Sequence, residues 1–90
     1  MAGKTELDLR GEKISPAQAS ALAEALKANR TLTALDLGEN SIGDAGASAV
    51  AEALKVNRTL KWLGLNMNNI GDAGERALRS SVRSGCELGI

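Results

Sequence analysis

Aliphatic residues recur along this chain of 90 residues with a period of 28. Leu35, Leu37 and Ile42 have aliphatic counterparts one period earlier and one period later, and the agreement continues in the second half of each copy. The three matching sets are Leu7, Leu9, Ile14, Leu22 and Leu26; Leu35, Leu37, Ile42, Val50 and Leu54; and Leu63, Leu65, Ile70, Leu78 and Val82. A fixed period of about 20–50 residues is the signature of a repeat protein. The chain is therefore predicted to consist of three copies of one structural unit.

The first half of each copy is predicted to be a short β-strand. Residues 4–10 alternate between polar side chains and the apolar Leu7 and Leu9, which is the period of a strand with one buried face. Residues 31–37 repeat the pattern as a second strand. Asn40 and its copy Asn68 follow the strands, and a buried carboxamide at this place can satisfy the backbone groups of an irregular turn.

The second half of each copy is predicted to be a helix. Ser15 suits the N-cap, Pro16 suits the first helical position, and Gln18 completes a capping box. The following apolar residues have the spacing of one helical stripe, and they are Ala19, Leu22, Ala23 and Leu26. Asp44 and Asp72 are expected to lie at the N-termini of the next two helices, where their negative charge interacts favourably with the helix dipole.

The helices are predicted to end at a shared repeat position. The first should stop near Ala28, because Asn29, Asn57 and Gly85 follow at equivalent places in the three copies. Asn and Gly tolerate the left-handed conformation that often terminates a helix. These three residues are therefore predicted to be left-handed caps.

The third copy departs from the other two. Glu75 and Arg79 stand where the earlier helices have alanines, and their spacing favours an i,i+4 ion pair. This polar helix is predicted to close the array, because a terminal repeat needs a solvated outer flank. Leu88 is assigned to the place of Leu60, at the start of a fourth strand.

Length, charge and cysteine content narrow the class of protein. Ninety residues allow one domain, 1–90, with repeats at approximately 4–31, 32–59 and 60–90. Eleven basic and 11 acidic side chains cancel, so no overall field attracts nucleic acid or an anionic membrane. The single Cys86 and the absence of histidine predict no internal disulfide, no Cys/His metal cage and a reducing, cytoplasmic location. No cofactor motif, signal peptide or membrane span is expected.

The frame L-x-x-L-x-L-x-x-N-x-I, followed by G-D-A-G-A-x-A-V-A-E-A-L-K-x-N-x-T-L, resembles the leucine-rich repeats of ribonuclease-inhibitor type over residues 5–88. The repeat length and the Asn-x-Thr-Leu junction look most like the arrays of NOD-like immune receptors, with Ran GTPase-activating proteins and tropomodulins as more distant possibilities. The resemblance implies an α/β solenoid, and the period of 28 gives this chain three such units where the family has many more. It also implies a short parallel sheet on the concave side, helices on the convex side, and protein partners bound on the concave face.

The outward strand positions are the candidate binding surface. They are predicted to form three columns across the sheet: Glu6, Ala34, Trp62 and Ile90; Asp8, Asp36 and Gly64; and Arg10, Gly38 and Asn66. Trp62 is the only aromatic residue, and it is interpreted either as an exposed anchor for a partner or as a side chain that packs on Ile90 or the C-terminal tail. Met67 could extend an apolar patch. The candidate protein-binding residues are Trp62, Asp36, Asp8, Arg10, Asn66 and Met67.

Three functions are compatible with these residues. The first is a non-catalytic protein–protein interaction module, since Asp8 and Asp36 lie side by side without a histidine or lysine partner for acid–base chemistry. The second is a minimal, excised or engineered repeat scaffold without a natural ligand, which associates with itself as a homodimer through its uncapped N-terminal flank. The third, by resemblance to the Ran activators, is regulation of a small GTPase.

Overall fold

The computed structural model describes residues 5–90. Strands and helices alternate along the chain in the order β1 Glu6–Asp8, α1 Pro16–Ala28, β2 Ala34–Asp36, α2 Gly43–Val56, β3 Trp62–Gly64, α3 Asp72–Ser81 and β4 Glu87–Gly89. The four strands form one parallel sheet in chain order. This arrangement confirms the predicted α/β repeat fold. Lys4, the first residue of the predicted strand 4–10, lies outside the described residues.

A single apolar core lies between the sheet and the helices. Helix α2 packs between α1 and α3, and the inward side chains of β2 and the following turn are completely covered. Leu35, Leu37 and Ile42 are at most 1% exposed. The core thus uses the alternate strand positions and the helical stripes that the sequence predicts.

The start of α1 confirms the predicted capping box. The backbone N–H of Gln18 donates to Ser15 Oγ at 3.2 Å, and the backbone N–H of Ser15 donates to Gln18 Oε1 at 3.0 Å. Pro16 occupies the first helical position, and α1 ends at Ala28 as predicted. The sequence therefore sets both ends of this helix through local contacts.

The predicted left-handed caps are wrong for the two asparagines. Asn29 and Asn57 have φ of −73° and −71° and are extended. Their side chains act instead, because Oδ1 of each accepts from the backbone N–H groups two and three residues later. Of the three positions only Gly85 has a positive φ, at 94°.

Asn40 is buried where the first two repeats meet. Its Oδ1 accepts from the backbone N–H groups of Glu12 and Ile14 at 3.0 and 2.9 Å. Its Nδ2 donates to the carbonyls of Leu9 and Leu37 at 3.0 and 2.9 Å. The predicted role of this side chain is confirmed, and one carboxamide joins the turns of two neighbouring repeats.

Asn68 makes the same connection between the second and third repeats. Its Oδ1 accepts from the N–H of Ile42 at 3.2 Å, and its Nδ2 donates to the carbonyls of Leu37 and Leu65 at 2.8 and 3.0 Å. Asn57 adds a third link, since its Nδ2 donates to the carbonyl of Leu26 at 2.9 Å. Because the strands are only three residues long, these carboxamides satisfy backbone groups that the sheet cannot.

The third repeat is shorter than the sequence pattern indicates. Leu7 pairs with Leu35 and Leu35 with Leu63, at the expected spacing of one period. Leu63, however, pairs with Leu88, which lies nearer along the chain than one full period. The assignment of Leu88 to the place of Leu60, and with it a third unit of full length, is therefore wrong.

The cause is the length of α3, which has 10 residues where α1 and α2 have 13 and 14. Its C-cap is Val82, which takes the extended conformation seen at Asn57. Val82 has no carboxamide. The neighbouring Arg83 supplies one of the hydrogen bonds that an asparagine side chain would make there, by donating from Nε to the carbonyl of Asn57 at 3.3 Å.

The predicted ion pair on α3 is present, with Arg79 Nε 3.0 Å from Glu75 Oε2.

Asp44 interacts with two helices rather than one. It lies in the first turn of α2, as predicted, but its Oδ1 also accepts from the N–H groups of Gly71 and Gly74 at 2.6 and 3.2 Å. A Cβ at Gly74 would lie 2.5 Å from that oxygen and 3.1 Å from the Cβ of Ala47. The glycine therefore lets α3 approach α2 closely enough for Asp44 to cap it.

We predict that Asn68→Ala strongly destabilises the chain. Removal of the carboxamide leaves the N–H of Ile42 and at least one buried carbonyl without partners, at about 1–3 kcal/mol for each group. The free energy of unfolding, measured by urea denaturation, should fall by about 2–4 kcal/mol. Asn66→Ala, at an exposed position two residues earlier, should change it by less than about 0.5 kcal/mol. Equal effects of the two substitutions would contradict the proposed role of Asn68.

Candidate protein-binding surface

The side of the sheet that faces away from the helices carries the candidate residues, and we call it the sheet face. It consists of three rows of outward residues: Glu6, Ala34, Trp62 and Glu87; Asp8, Asp36, Gly64 and Gly89; and Arg10, Gly38 and Asn66. For β1, β2 and β3, the residues in each row are those of the columns predicted from the sequence. Ile90 is not in the first row, because the shorter third repeat places Glu87 beside Trp62.

Trp62 lies flat across the strands at the C-terminal half of the sheet face. A Cβ built on Gly64 would collide with the indole at Cη2, and one built on Gly89 would lie 3.3 Å from Cζ2. The ring therefore occupies the space that two missing side chains leave open. It is also 36% exposed, so the side chain both packs on the C-terminal segment and presents part of its surface to solvent.

Arg10 is fixed by two carboxylates of the second repeat. Its Nη2 donates to Glu39 Oε2 at 2.9 Å, and its Nη1 lies 3.6 Å from Asp36 Oδ2. The hydrogen bond and the charge of Glu39 raise the pKa of Arg10 above its ordinary value. The guanidinium is therefore a permanent charge that links the first repeat to the second.

Asp8 and Asp36 lie side by side, as the sequence predicts. The Oδ1 of Asp8 accepts from the N–H of Arg10 at 3.0 Å, and the Oδ1 of Asp36 accepts from the N–H of Gly38 at 2.9 Å. Each carboxylate is thus fixed by its own strand end rather than by its neighbour.

Within residues 5–90, carboxylates outnumber basic side chains on the sheet face, although the chain as a whole has no net charge. Arg10 is the one basic residue in the three rows, and Glu39 approaches it from the adjoining turn. The carboxylates are Glu6, Asp8, Asp36, Glu39 and Glu87. Glu39 lies one residue beyond the rows and was therefore not among the residues predicted from the sequence. Glu87 was not among them either, because the predicted third repeat had its full length.

Met67 is the most exposed large apolar side chain, at 73%. It has a φ of 60° and shares its repeat position with Glu39 and Gly11, which also have positive φ. With Asn66, Glu75 and Ile90 it lines an open hollow of about 220 Å³ beside the end of β3. The six predicted site residues therefore divide into two groups of three. The charged group lies on β1, β2 and the turn after β1 and consists of Asp8, Arg10 and Asp36; the other lies on β3 and the turn after it and consists of Trp62, Asn66 and Met67.

Over residues 5–90 no three His, Cys, Asp or Glu side chains are grouped as metal ligands. In the same part of the chain no helix is long and apolar enough to cross a bilayer. Cys86, the one thiol, is partly buried, and burial raises its pKa, which makes it a poor nucleophile at neutral pH.

We predict that Gly64→Ala displaces Trp62 from the sheet face. The new methyl group would occupy the position of the indole edge, so the ring has to move into solvent. Because Trp62 is the only aromatic residue, its emission should shift to the red and acrylamide should quench it more strongly. Gly71→Ala, where the added Cβ meets only the carboxylate of Asp44, should leave the emission unchanged. An unaltered spectrum in the folded Gly64→Ala variant would show that the ring does not lie on Gly64.

Comparison with known proteins identifies the repeat. Residues 28–51 and 56–78 each match the family model described as "Leucine Rich repeat", and together they make up slightly more than half of the chain. Each match contains one strand, the turn with the buried asparagine, and part of the following helix. No curated protein matches the chain significantly. On its sequence and its fold, the chain belongs to the leucine-rich repeat family.

Proposed function

We propose that this chain is a non-catalytic protein–protein interaction module that binds its partner through the sheet face. Leucine-rich repeats generally mediate protein–protein interaction and are typically non-catalytic. We assign it to the ribonuclease-inhibitor-like class, most similar to the arrays of NOD-like receptors, in which the repeats form a solenoid with the sheet on its concave side. The single free thiol, Cys86, favours a cytoplasmic location.

The observation that carries the proposal is the exposed indole of Trp62. Trp, Met and Arg are enriched in interfaces between proteins, and an anchoring Trp often contributes about 2 kcal/mol or more to binding. Trp62 and Met67 are exposed on the same strand and the turn that follows it, and Arg10 lies across the sheet. The glycine floor below Trp62 holds the ring in one orientation, so little conformational freedom is lost on binding.

The turn after β3 presents Met67 to solvent. Met67 has a left-handed backbone conformation, as do Gly11 and Glu39 at the same position of the earlier repeats, so this conformation belongs to the repeat turn. The side chain is 73% exposed. It therefore contributes little to the core and is available to a partner.

Panning of a random peptide library displayed on phage against the folded chain tests the proposal. Peptides selected in this way should bind the Trp62→Ser variant at least about tenfold more weakly, which corresponds to about 1.4 kcal/mol. Met67→Gly should also weaken binding, while its free energy of unfolding stays equal or rises because the strain is relieved. This combination separates a binding defect from a folding defect.

Val56→Ser provides the matched control, since Val56 is 46% exposed at the end of α2. It should leave the affinity of the selected peptides unchanged. Peptides whose binding depends on Val56 and not on Trp62 would place the interaction on the helical side and contradict the proposal.

Self-association is a second candidate function, and the N-terminal flank favours it. The aliphatic residues of the first repeat are only half-buried, whereas their counterparts in the second repeat are at most 1% exposed. The half-buried set is Leu7, Leu9, Ile14 and Leu22. Within residues 5–90 no strand pairs with the outer edge of β1, and an unpaired edge with apolar neighbours invites a second copy.

The opposite flank is less suited to such a contact. Ala19 and Ala47 contact the glycines of the next helix, at 3.2 and 3.1 Å from a Cβ built on Gly46 and Gly74. The equivalent residue of α3 is Glu75, which is paired with Arg79. Another helix could not approach this charged pair as closely, which favours an isologous dimer through the two N-terminal flanks.

Light scattering coupled to size exclusion tests the dimer. The chain should have twice its monomer mass at high micromolar concentration, and Leu22→Glu should convert it to a monomer by placing a charge on the flank. Ala73→Glu, an equivalent change on the exposed side of α3, should leave the dimer intact. A monomer at several hundred micromolar would exclude self-association and leave the proposal for the sheet face unaffected.

A further inference from the structure

We infer that the partner presents a basic, arginine-bearing segment to the sheet face. The inference rests on the proposed function, because it specifies the chemistry of the partner for the same surface. Two features carry it: the separation of charge between the two sides of the molecule, and the close approach of Trp62 to Asp36. Each is independent of the family resemblance.

The separation of charge selects a positive partner. The chain has 11 basic and 11 acidic side chains, but five of the carboxylates border the sheet face against the single guanidinium of Arg10. On the helices, by contrast, acids are paired locally, as in the ion pairs of Glu24 with Lys27 and Glu52 with Lys55. A surface with unbalanced negative charge gains most from a partner of positive potential, and it repels the phosphates of a nucleic acid.

The close approach of Trp62 to Asp36 selects arginine among the basic residues. A Cβ at Gly64 would lie 3.0 Å from Asp36 Oδ1 and would collide with the Trp62 ring. The carboxylate therefore lies beside the edge of the indole, which covers Gly64. A guanidinium on the exposed face of the ring can stack on it with its plane while its N–H groups donate to the carboxylate. The ammonium of lysine is a point charge and lacks the planar fork that makes both contacts at once.

Asp36 has capacity for this additional contact. Its Oδ2 is the atom nearest to Arg10, at 3.6 Å, whereas its Oδ1 accepts one hydrogen bond from Gly38 and lies beside Gly64 and the ring. A carboxylate oxygen accepts about two hydrogen bonds. Asp8 lies next to Asp36 in the same row, so a second basic residue of the partner would meet it there. The structure thus places an arginine subsite beside Trp62 and a general basic subsite beside Asp8.

Fluorescence titration of the chain with a capped hexa-arginine peptide tests this inference at low ionic strength. The peptide should change the emission of Trp62 saturably, and a capped hexa-lysine peptide should bind at least about fivefold more weakly. The double variant Asp8→Asn/Asp36→Asn should lower the affinity for hexa-arginine by at least about fivefold. Asparagine retains the oxygen that accepts from the N–H groups of Arg10 and Gly38, so the fold should be preserved, as circular dichroism can verify.

The control is the double variant Glu24→Gln/Glu52→Gln, which changes the net charge equally but on the helices. It should leave the affinity within about twofold of the original chain. Equal weakening by the two double variants, equal affinity for the lysine peptide, or no response of Trp62 would each overturn the inference. Library peptides that depend on Trp62 but not on Asp8 and Asp36 would also overturn it, while leaving the proposed function in place. Loss of the dependence on Trp62 would instead remove the proposed function itself.

Discussion

The fold depends on buried carboxamides that connect one repeat to the next. Strands of three residues provide few ladder hydrogen bonds, and the turns that follow them would leave backbone groups unsatisfied inside the molecule. Asn40, Asn57 and Asn68 supply donors and acceptors to both sides of each junction. Every side-chain nitrogen or oxygen that is buried within residues 5–90 has a partner. A core made of alanine and leucine can therefore remain ordered without a disulfide or an aromatic residue.

These separate roles leave the sheet face outside the core. Inward positions hold the core and the asparagines hold the turns, so the outward residues are not needed to fill the interior. In the C-terminal half of the sheet face, Gly64 and Gly89 lack side chains and Trp62 lies across them. Met67 exposes a large apolar side chain in the following turn. The third repeat carries most of what distinguishes this chain from a regular array.

The sequence predicted those parts of the molecule that local chemistry determines. The capping box at Ser15, the buried turn at Asn40 and the adjacent carboxylates on β1 and β2 follow from residue type and spacing alone. The predicted left-handed conformation at Asn29 and Asn57 was wrong, because an asparagine after a helix can either take a positive φ or use its side chain as an acceptor for the next turn, and the residue type does not say which. At both positions Oδ1 accepts from the following backbone, and the residue stays extended.

The C-terminal register could not be obtained from the pattern of leucines. Leu88 fits the place of either Leu60 or Leu63, and only the early end of α3 at Ser81 decides between them. That choice moves Glu87 next to Trp62 and so changes the charge of the surface.

In the proposed function, the indole of Trp62 is free on one side in the monomer and becomes covered by a partner. Acrylamide quenching of the monomer, with and without a bound library peptide, measures this directly. We expect an accessible indole that the peptide protects, and an indole already protected in the free monomer would contradict the claim.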